Sequence, residues 1–366
     1  MQTTTKDHFL ALDGLRGVAA LAVLVMHRGR WFYAPGGFLG HGYLAVDFFF
    51  LLSGFVIAFA YDRRIQAGMT PWTFMRLRLI RLYPLIFLGM LLGAAWPLIR
   101  ILTDMRGAPD PGALAYDLIR GLSLIPDDYA PGAGDSIFPL NGPTWSLFFE
   151  LLVNLVFVLI GPRLSLKVLA AIVTLSAVAM TWAAFHGGVD VGGRPSTILA
   201  GFPRTGVGFF GGALLYRLIV AGRARSWSLP RLPAPFLTCG LGLTAILCVP
   251  RAIQPVFDLL ALFVLFPALV AFAAAPGAAS AGFGAKLSRL AGDLSYPVYV
   301  LHYPLYVLIG GLGFRMGGLN IPPPWRGLLS AAIVIGAAWA ALKLYDEPLR
   351  RRLMQGIKPR ALPAAA

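Results

Sequence analysis

The sequence reads as an all-α, polytopic membrane protein with about ten transmembrane helices and both termini in the cytoplasm. Three observations carry that reading. Of the 366 residues, 58% are apolar, against about 45–50% in soluble domains. Only 13% are charged, and mean hydropathy is +0.73. A soluble globule of this size needs more polar surface, so a disordered chain and an ordinary cytosolic enzyme are both excluded. The formal net charge of +15 sits in short clusters between apolar runs. That distribution marks the cytoplasmic face of a membrane protein and argues against a nucleic-acid partner; the partner it implies is the lipid bilayer.

At about 20 apolar residues per crossing, the spans fall near residues 9–26, 43–60, 79–98, 144–160, 166–185, 198–220, 235–249, 256–275, 294–312 and 328–344. The first carries Arg16, has no basic leader beyond Lys6 and shows no small-residue cleavage site, so it reads as a retained helix and not a signal peptide. The cluster Arg76, Arg78 and Arg81 lies at the cytoplasmic start of the third and anchors it. The longest outer loop, 100–143, holds an acidic Gly/Pro-rich stretch at 126–132. Within it Leu114, Leu118, Leu122 and Ile125 recur at helical spacing, the pattern of a helix lying on the interface. The seventh span is short and contains both cysteines, Cys239 and Cys248, which leaves no disulfide framework and no CxxC metal site; no metal is expected. With the N-terminus inside, most of the 31 Lys and Arg residues fall on the cytoplasmic side. The chain reads as one transmembrane domain, 1–352, and a disordered cytoplasmic tail, 353–366.

Polar groups inside a bilayer are costly and point to function. Arg16 and His27 lie eleven residues apart in the first span. They therefore share a helical stripe, roughly 16 Å apart along the axis. Asp47 opens the second span at a depth similar to His27. It either caps the helix N-terminus or orients the His27 ring as carboxylates do in catalytic dyads. In the fourth span Ser146, Glu150 and Asn154 form one polar face at i, i+4 and i+8. A lone carboxylate at the depth of Glu150 calls for an Arg or His partner, and Arg204, near the outer end of the sixth span, is a candidate for it or for a substrate. Arg78 and Arg81 share a face and suit phosphate recognition, although ordinary cytoplasmic anchoring also places Arg there. Ser295, Tyr299, His302 and Tyr306 form a stripe in the ninth span, with His302 as a second active-site group or a hydrogen-bonded structural residue. His8, His41 and His186 sit in loops or at helix ends and receive no role. The depths place a phosphorylated donor on the inside and a reactive centre on the outside, a geometry suited to transfer across a membrane.

These residues carry a family resemblance that runs nearly end to end. The matching stretches are Leu12-Asp13-Gly14-Leu15-Arg16-Gly17 continuing to His27, Val46-Asp47-Phe48-Phe49-Phe50-Leu51-Leu52-Ser53-Gly54-Phe55, and Arg78-x-x-Arg81 with Tyr83-Pro84. Trp145-Ser146-Leu147-x-x-Glu150, Leu294-Ser295-Tyr296-Pro297-Val298-Tyr299-Val300-Leu301-His302 and Glu347-Pro348 complete the set. In this order they resemble the acyltransferase 3 family of membrane O-acyltransferases. The resemblance implies a multi-pass enzyme of the bacterial inner membrane. It would move an acyl group, often acetyl, from acyl-CoA to a hydroxyl of a glycan or related cell-envelope acceptor. It implies that His27 and Glu150 are essential and that Arg16, Arg78 and Arg81 hold the donor. His27 is then the general base, oriented by Asp47 or Glu150, or the site of an acyl-enzyme. Ser146, Arg204, Tyr299 and His302 are supporting or substrate-contacting residues. Two departures stand out. Leu77 separates Arg76 from Arg78 where a basic doublet is usual, and the SGNH-type extracytoplasmic domain fused to some members is missing, so delivery to a distant acceptor would need a separate extracytoplasmic partner. The rival reading is a proton-coupled secondary transporter using the same buried Arg, His and Glu residues.

Overall fold

The computed structural model describes residues 9–33, 39–127, 136–224, 230, 232–275 and 282–355. His8, residues 128–135 of the outer loop and the tail beyond Gln355 lie outside the described residues. The main helices are α1 (Leu10–His27), α2 (Ala45–Gln66), α3 (Pro71–Leu102), α4 (Pro111–Leu122), α5 (Thr144–Ile160), α6 (Leu166–His186) and α7 (Gly201–Ala224). They continue with α8 (Pro235–Cys248), α9 (Val256–Ala273), α10 (Phe283–Met316) and α11 (Trp325–Gln355).

The ten expected spans are borne out in part. Among the described residues eight helices are long and apolar enough to cross a membrane. All ten apolar runs are helical, but α5 has 17 residues and α8 has 14, lengths of only about 26 and 21 Å. Other helices outrun their apolar cores. The third begins at Pro71, where the Thr70 side chain accepts a hydrogen bond from the Thr73 amide at 3.2 Å and proline occupies the first turn, a strong start signal. Arg78 and Arg81 therefore lie inside α3 and not at its entrance. Hydropathy finds the apolar run; caps and packing decide where the helix stops. The amphipathic segment of the outer loop is α4, capped by Asp110 at 3.0 Å from the Ala113 amide. It packs Leu114, Leu118 and Leu122 on the α3 side while Tyr83 donates to the Leu122 carbonyl at 2.8 Å.

Two close helix pairs set the positions that matter. In α2 against α7, a Cβ on Gly54 would stand 1.8 Å from the Phe209 carbonyl, and one on Gly212 would stand 2.0 Å from that of Leu51. Small residues let backbones approach this closely inside a membrane. In α1 against α10, a Cβ on Gly17 would lie 2.4 Å from that of Ala291, and one on Gly292 would lie 2.6 Å from that of Asp13. The second pair brings the Arg16–His27 stripe of α1 against the Ser295–His302 stripe of α10.

Candidate active site

Three cavities follow one another through the bundle, between helices α1, α2, α3, α5, α10 and α11. With the Arg16 end of α1 named the inner end and the His27 end the outer, the inner mouth is lined by arginines from α1, α3, α10 and α11, among them Arg16, Arg78, Arg81 and Arg350. A middle cavity shares Arg16, Arg78 and Arg81 with the mouth and reaches Glu150, Ser146 and Tyr299. An outer cavity holds His27 with Trp145, Asp190 and Tyr303, and shares Val46 and Tyr299 with the middle one.

In the outer cavity the ring geometry fixes the state of His27. Its Nδ1 lies 2.9 Å from the Val23 carbonyl and 3.3 Å from Nε2 of His302. The Nδ1 of His302 lies 2.7 Å from the Tyr299 carbonyl and 3.1 Å from that of Val298. Carbonyls only accept, so in neutral rings the hydrogen sits on Nδ1 in both cases. His302 then presents a lone pair at Nε2 to the His27 Nδ1–H, and His27 keeps its own Nε2 as a free base. This tautomer is assigned from the bonding network. Tyr303 packs edge-on to the His27 ring at 5.8 Å, and Arg28 donates to the His27 carbonyl at 3.1 Å.

Between the outer and middle cavities the Tyr299 and Ser146 hydroxyls meet at 2.6 Å, and Ser146 donates to the Pro143 carbonyl at 3.1 Å. Phe49 packs edge-on to Tyr299 at 5.3 Å. Below this septum Glu150 accepts from Arg78 Nη2 at 2.8 Å and from Ser53 Oγ at 3.0 Å. Asn154 donates to the Glu150 backbone carbonyl at 2.7 Å, so the polar face of α5 is spent within its own half of the bundle. Arg16 donates to Ser295 Oγ at 3.1 Å and faces Asp13 at 3.4 Å. Arg78 Nε is buried without a partner.

The structure brings His27 to His302, Ser146 to Tyr299, and Glu150 to Arg78. Several expected pairings are not formed. Neither Asp47 nor Glu150 bonds the His27 ring. Asp47 is gripped by Arg204, with Nε to Oδ1 at 2.9 Å and Nη2 to Oδ2 at 2.8 Å, so Arg204 is not the partner of Glu150. Nor does Asp47 cap its helix by a side-chain bond. Sequence reasoning also passed over His41, which is fully buried. Its Nδ1 lies 2.7 Å from the Val249 carbonyl and its Nε2 3.4 Å from Asp258, which accepts from the Tyr43 hydroxyl at 2.7 Å. It passed over Asp190 as well, the carboxylate that does line the His27 cavity. Asp190 sits in the loop after α6, where no helical phase signals its position; Arg204 Nη1 reaches it at 3.2 Å. Among the described residues no group of three or more His, Cys, Asp and Glu side chains is placed to hold a metal ion.

The comparisons with known proteins bear on what this cavity system does. The chain is 38% identical over 192 residues to "Protein 2 in picA locus" of Rhizobium radiobacter, covering 50% of this chain and 98% of that protein. It is 34% identical over 155 residues to "Acyltransferase MdmB" of Streptomyces mycarofaciens, covering 40% of this chain and 38% of that one. No solved structure matches. The profile of the acyltransferase 3 family, described as an acyltransferase domain, matches residues 9–343. The cavities thus lie in a membrane-embedded acyltransferase, and the chain belongs to the acyltransferase 3 family.

Proposed function

We propose that the enzyme moves an acyl group, acetyl in the simplest case, from acyl-CoA in the arginine-lined cavities to a hydroxyl of an acceptor in the outer cavity. The observation that carries this reading is the series of cavities joining the arginines to His27. Guanidiniums suit the phosphates of coenzyme A, and the pantetheine arm would lie past Glu150 with its thioester at the septum. Trp145, Tyr303 and Asp190 offer ring faces and a carboxylate to a glycan or similar polyhydroxy acceptor.

In the reaction His27 Nε2 takes the proton of the acceptor hydroxyl. The oxygen attacks the thioester carbonyl as the C–O bond forms, and the Tyr299 hydroxyl turns its hydrogen from Ser146 Oγ to the resulting oxyanion. Collapse breaks the C–S bond, and the proton held by His27 passes to the departing thiolate. His302 and the Val23 carbonyl keep the Nδ1–H of His27 in place throughout, so that Nε2 is the nitrogen that takes and returns the proton. Glu150 then acts by fixing Arg78 beside the donor, not by touching His27. In this reading the mouth faces the cytoplasm of a bacterial inner membrane, ten helices including α5 and α8 cross it, and both termini are cytoplasmic. Delivery to a distant acceptor would fall to a separate extracytoplasmic protein.

The test is turnover of radiolabelled acetyl-CoA by purified protein in vesicles supplied with envelope glycans. Wild type is expected to release or transfer label, and His27→Ala to do so about 100-fold or more slowly with unchanged folding. Full activity in the variant would overturn the role of His27.

A further inference from the structure

Six arginines line the inner mouth, yet the sequence signals only three of them as donor-binding. Arg289 comes from α10, and Arg350 and Arg351 come from the last turns of α11. A π-helical segment, Leu342–Asp346, precedes them and breaks the α-helical phase of α11; such segments cluster at functional sites. Carboxylates around the mouth take part of the donor set of Arg16, Arg350 and Arg351. Asp13 faces Arg16, and Glu347 is shared between Lys343 and Arg351, at 3.5 Å from the latter. Asp346 Oδ2 takes one Nη2 of Arg350 at 2.9 Å, while Arg350 Nε is buried with no hydrogen-bond partner. Asp293 lines the rim as well. Arg351 is 78% exposed at the outermost edge, whereas Arg78 and Arg81 also line the middle cavity.

We propose that Arg350 and Arg351 form a second anion subsite at the rim, which holds the 3′-phosphate on the ribose of coenzyme A. The proposal rests on acyl-CoA being the donor. With the thioester at the septum the nucleotide lies at the mouth, and the ribose phosphate is the anion remote from the pantetheine arm. Arg78 and Arg81, deeper, are left for the pyrophosphate. The C-terminal turns of α11 thereby become a reader of the donor's far end.

The experiment compares binding of CoA and 3′-dephospho-CoA to the purified full-length protein by calorimetry. Wild type is expected to favour CoA by roughly tenfold, the scale of charge-assisted contacts to one phosphate. Arg350→Gln/Arg351→Gln loses that preference while binding 3′-dephospho-CoA as wild type does. Arg351→Gln alone, exposed and free of folding cost, loses part of it. Arg352→Gln, one residue beyond the lining, keeps it. Equal wild-type affinity for both ligands, or a preference that survives in the double variant, overturns the rim subsite and leaves the donor reading standing. Failure of wild type to bind CoA at all overturns both.

Discussion

Arg204 and Arg78 each face a carboxylate on a neighbouring helix at 2.8 Å, but they are different devices. A guanidinium has five N–H donors, and Arg204 uses all five. Nε and one Nη2–H grip Asp47, the other Nη2–H reaches the Tyr43 carbonyl at 3.3 Å, and Nη1 serves Asp190 and the Val191 carbonyl, the latter at 2.8 Å. Its face lies 5.1 Å from the centre of the Trp145 ring, and no part of the side chain is exposed. Arg78 makes one bond to Glu150, buries Nε without a partner and lines two cavities. The difference teaches how to sort intramembrane arginines. One whose donors are all spent inside the protein ties helices together; one with donors left over beside a cavity is built to meet something else.

Three substitutions test that division. The largest effect is expected at Arg204. Arg204→Ala leaves Asp47 charged and unpaired in the bundle, at a cost of about 3–5 kcal/mol, read as a fall in melting temperature and folded yield in detergent. Joint replacement, Asp47→Leu with Arg204→Met, restores much of it. A stable Arg204→Ala protein that fails only in donor binding would break the comparison. Next is Arg78→Gln. It leaves Glu150 with Ser53 and the cavity, so the melting temperature falls less than for Arg204→Ala but more than for loss of the Ser53 bond, while KM for acyl-CoA rises about tenfold, as for one lost charge-assisted contact. Smallest is Ser53→Ala, which removes one of two bonds to Glu150. A loss of about 1 kcal/mol in stability with a less than threefold change in KM would sharpen the view that Arg78 alone fixes the carboxylate.

What the sequence made legible follows the same physical line. The apolar runs were legible because the bilayer sets one length scale for all of them. Arg16 and His27 were legible as one stripe because both belong to one helix, where the 3.6-residue period fixes azimuth and depth together. Partners across helices were not. Asp47 and His27 were matched in depth, yet depth says nothing about which way α2 is rotated. The close packing of Gly54 and Gly212 turns Asp47 toward Arg204 instead. His302 was legible as a buried face of α10, but its contact with His27 depends on the Gly17–Ala291 approach. Arg350 and Arg351 read as ordinary cytoplasmic anchors, because a π-helical segment shifts their phase and leaves no trace in hydropathy. Asp190 belongs to a loop, where no periodicity exists to place it.

The bond between Tyr299 and Ser146 has an electrical meaning as well as a structural one. On one side the cavities run out to Arg351, whose side chain is 78% exposed; on the other they run out to Asp190, at 69%. Voltage across a membrane falls where the insulator is, and cavities filled with water from both ends would leave the Tyr299–Ser146 layer as the insulator. A field otherwise spread over about 30 Å of hydrocarbon would then be concentrated there, where a unit charge crossing it gains or loses about 2.3 kcal/mol per 100 mV. In the proposed reaction a proton passes inward across that layer as the acyl group passes outward, so a full turnover moves no net charge and the field would act only on the charge separated in the transition state.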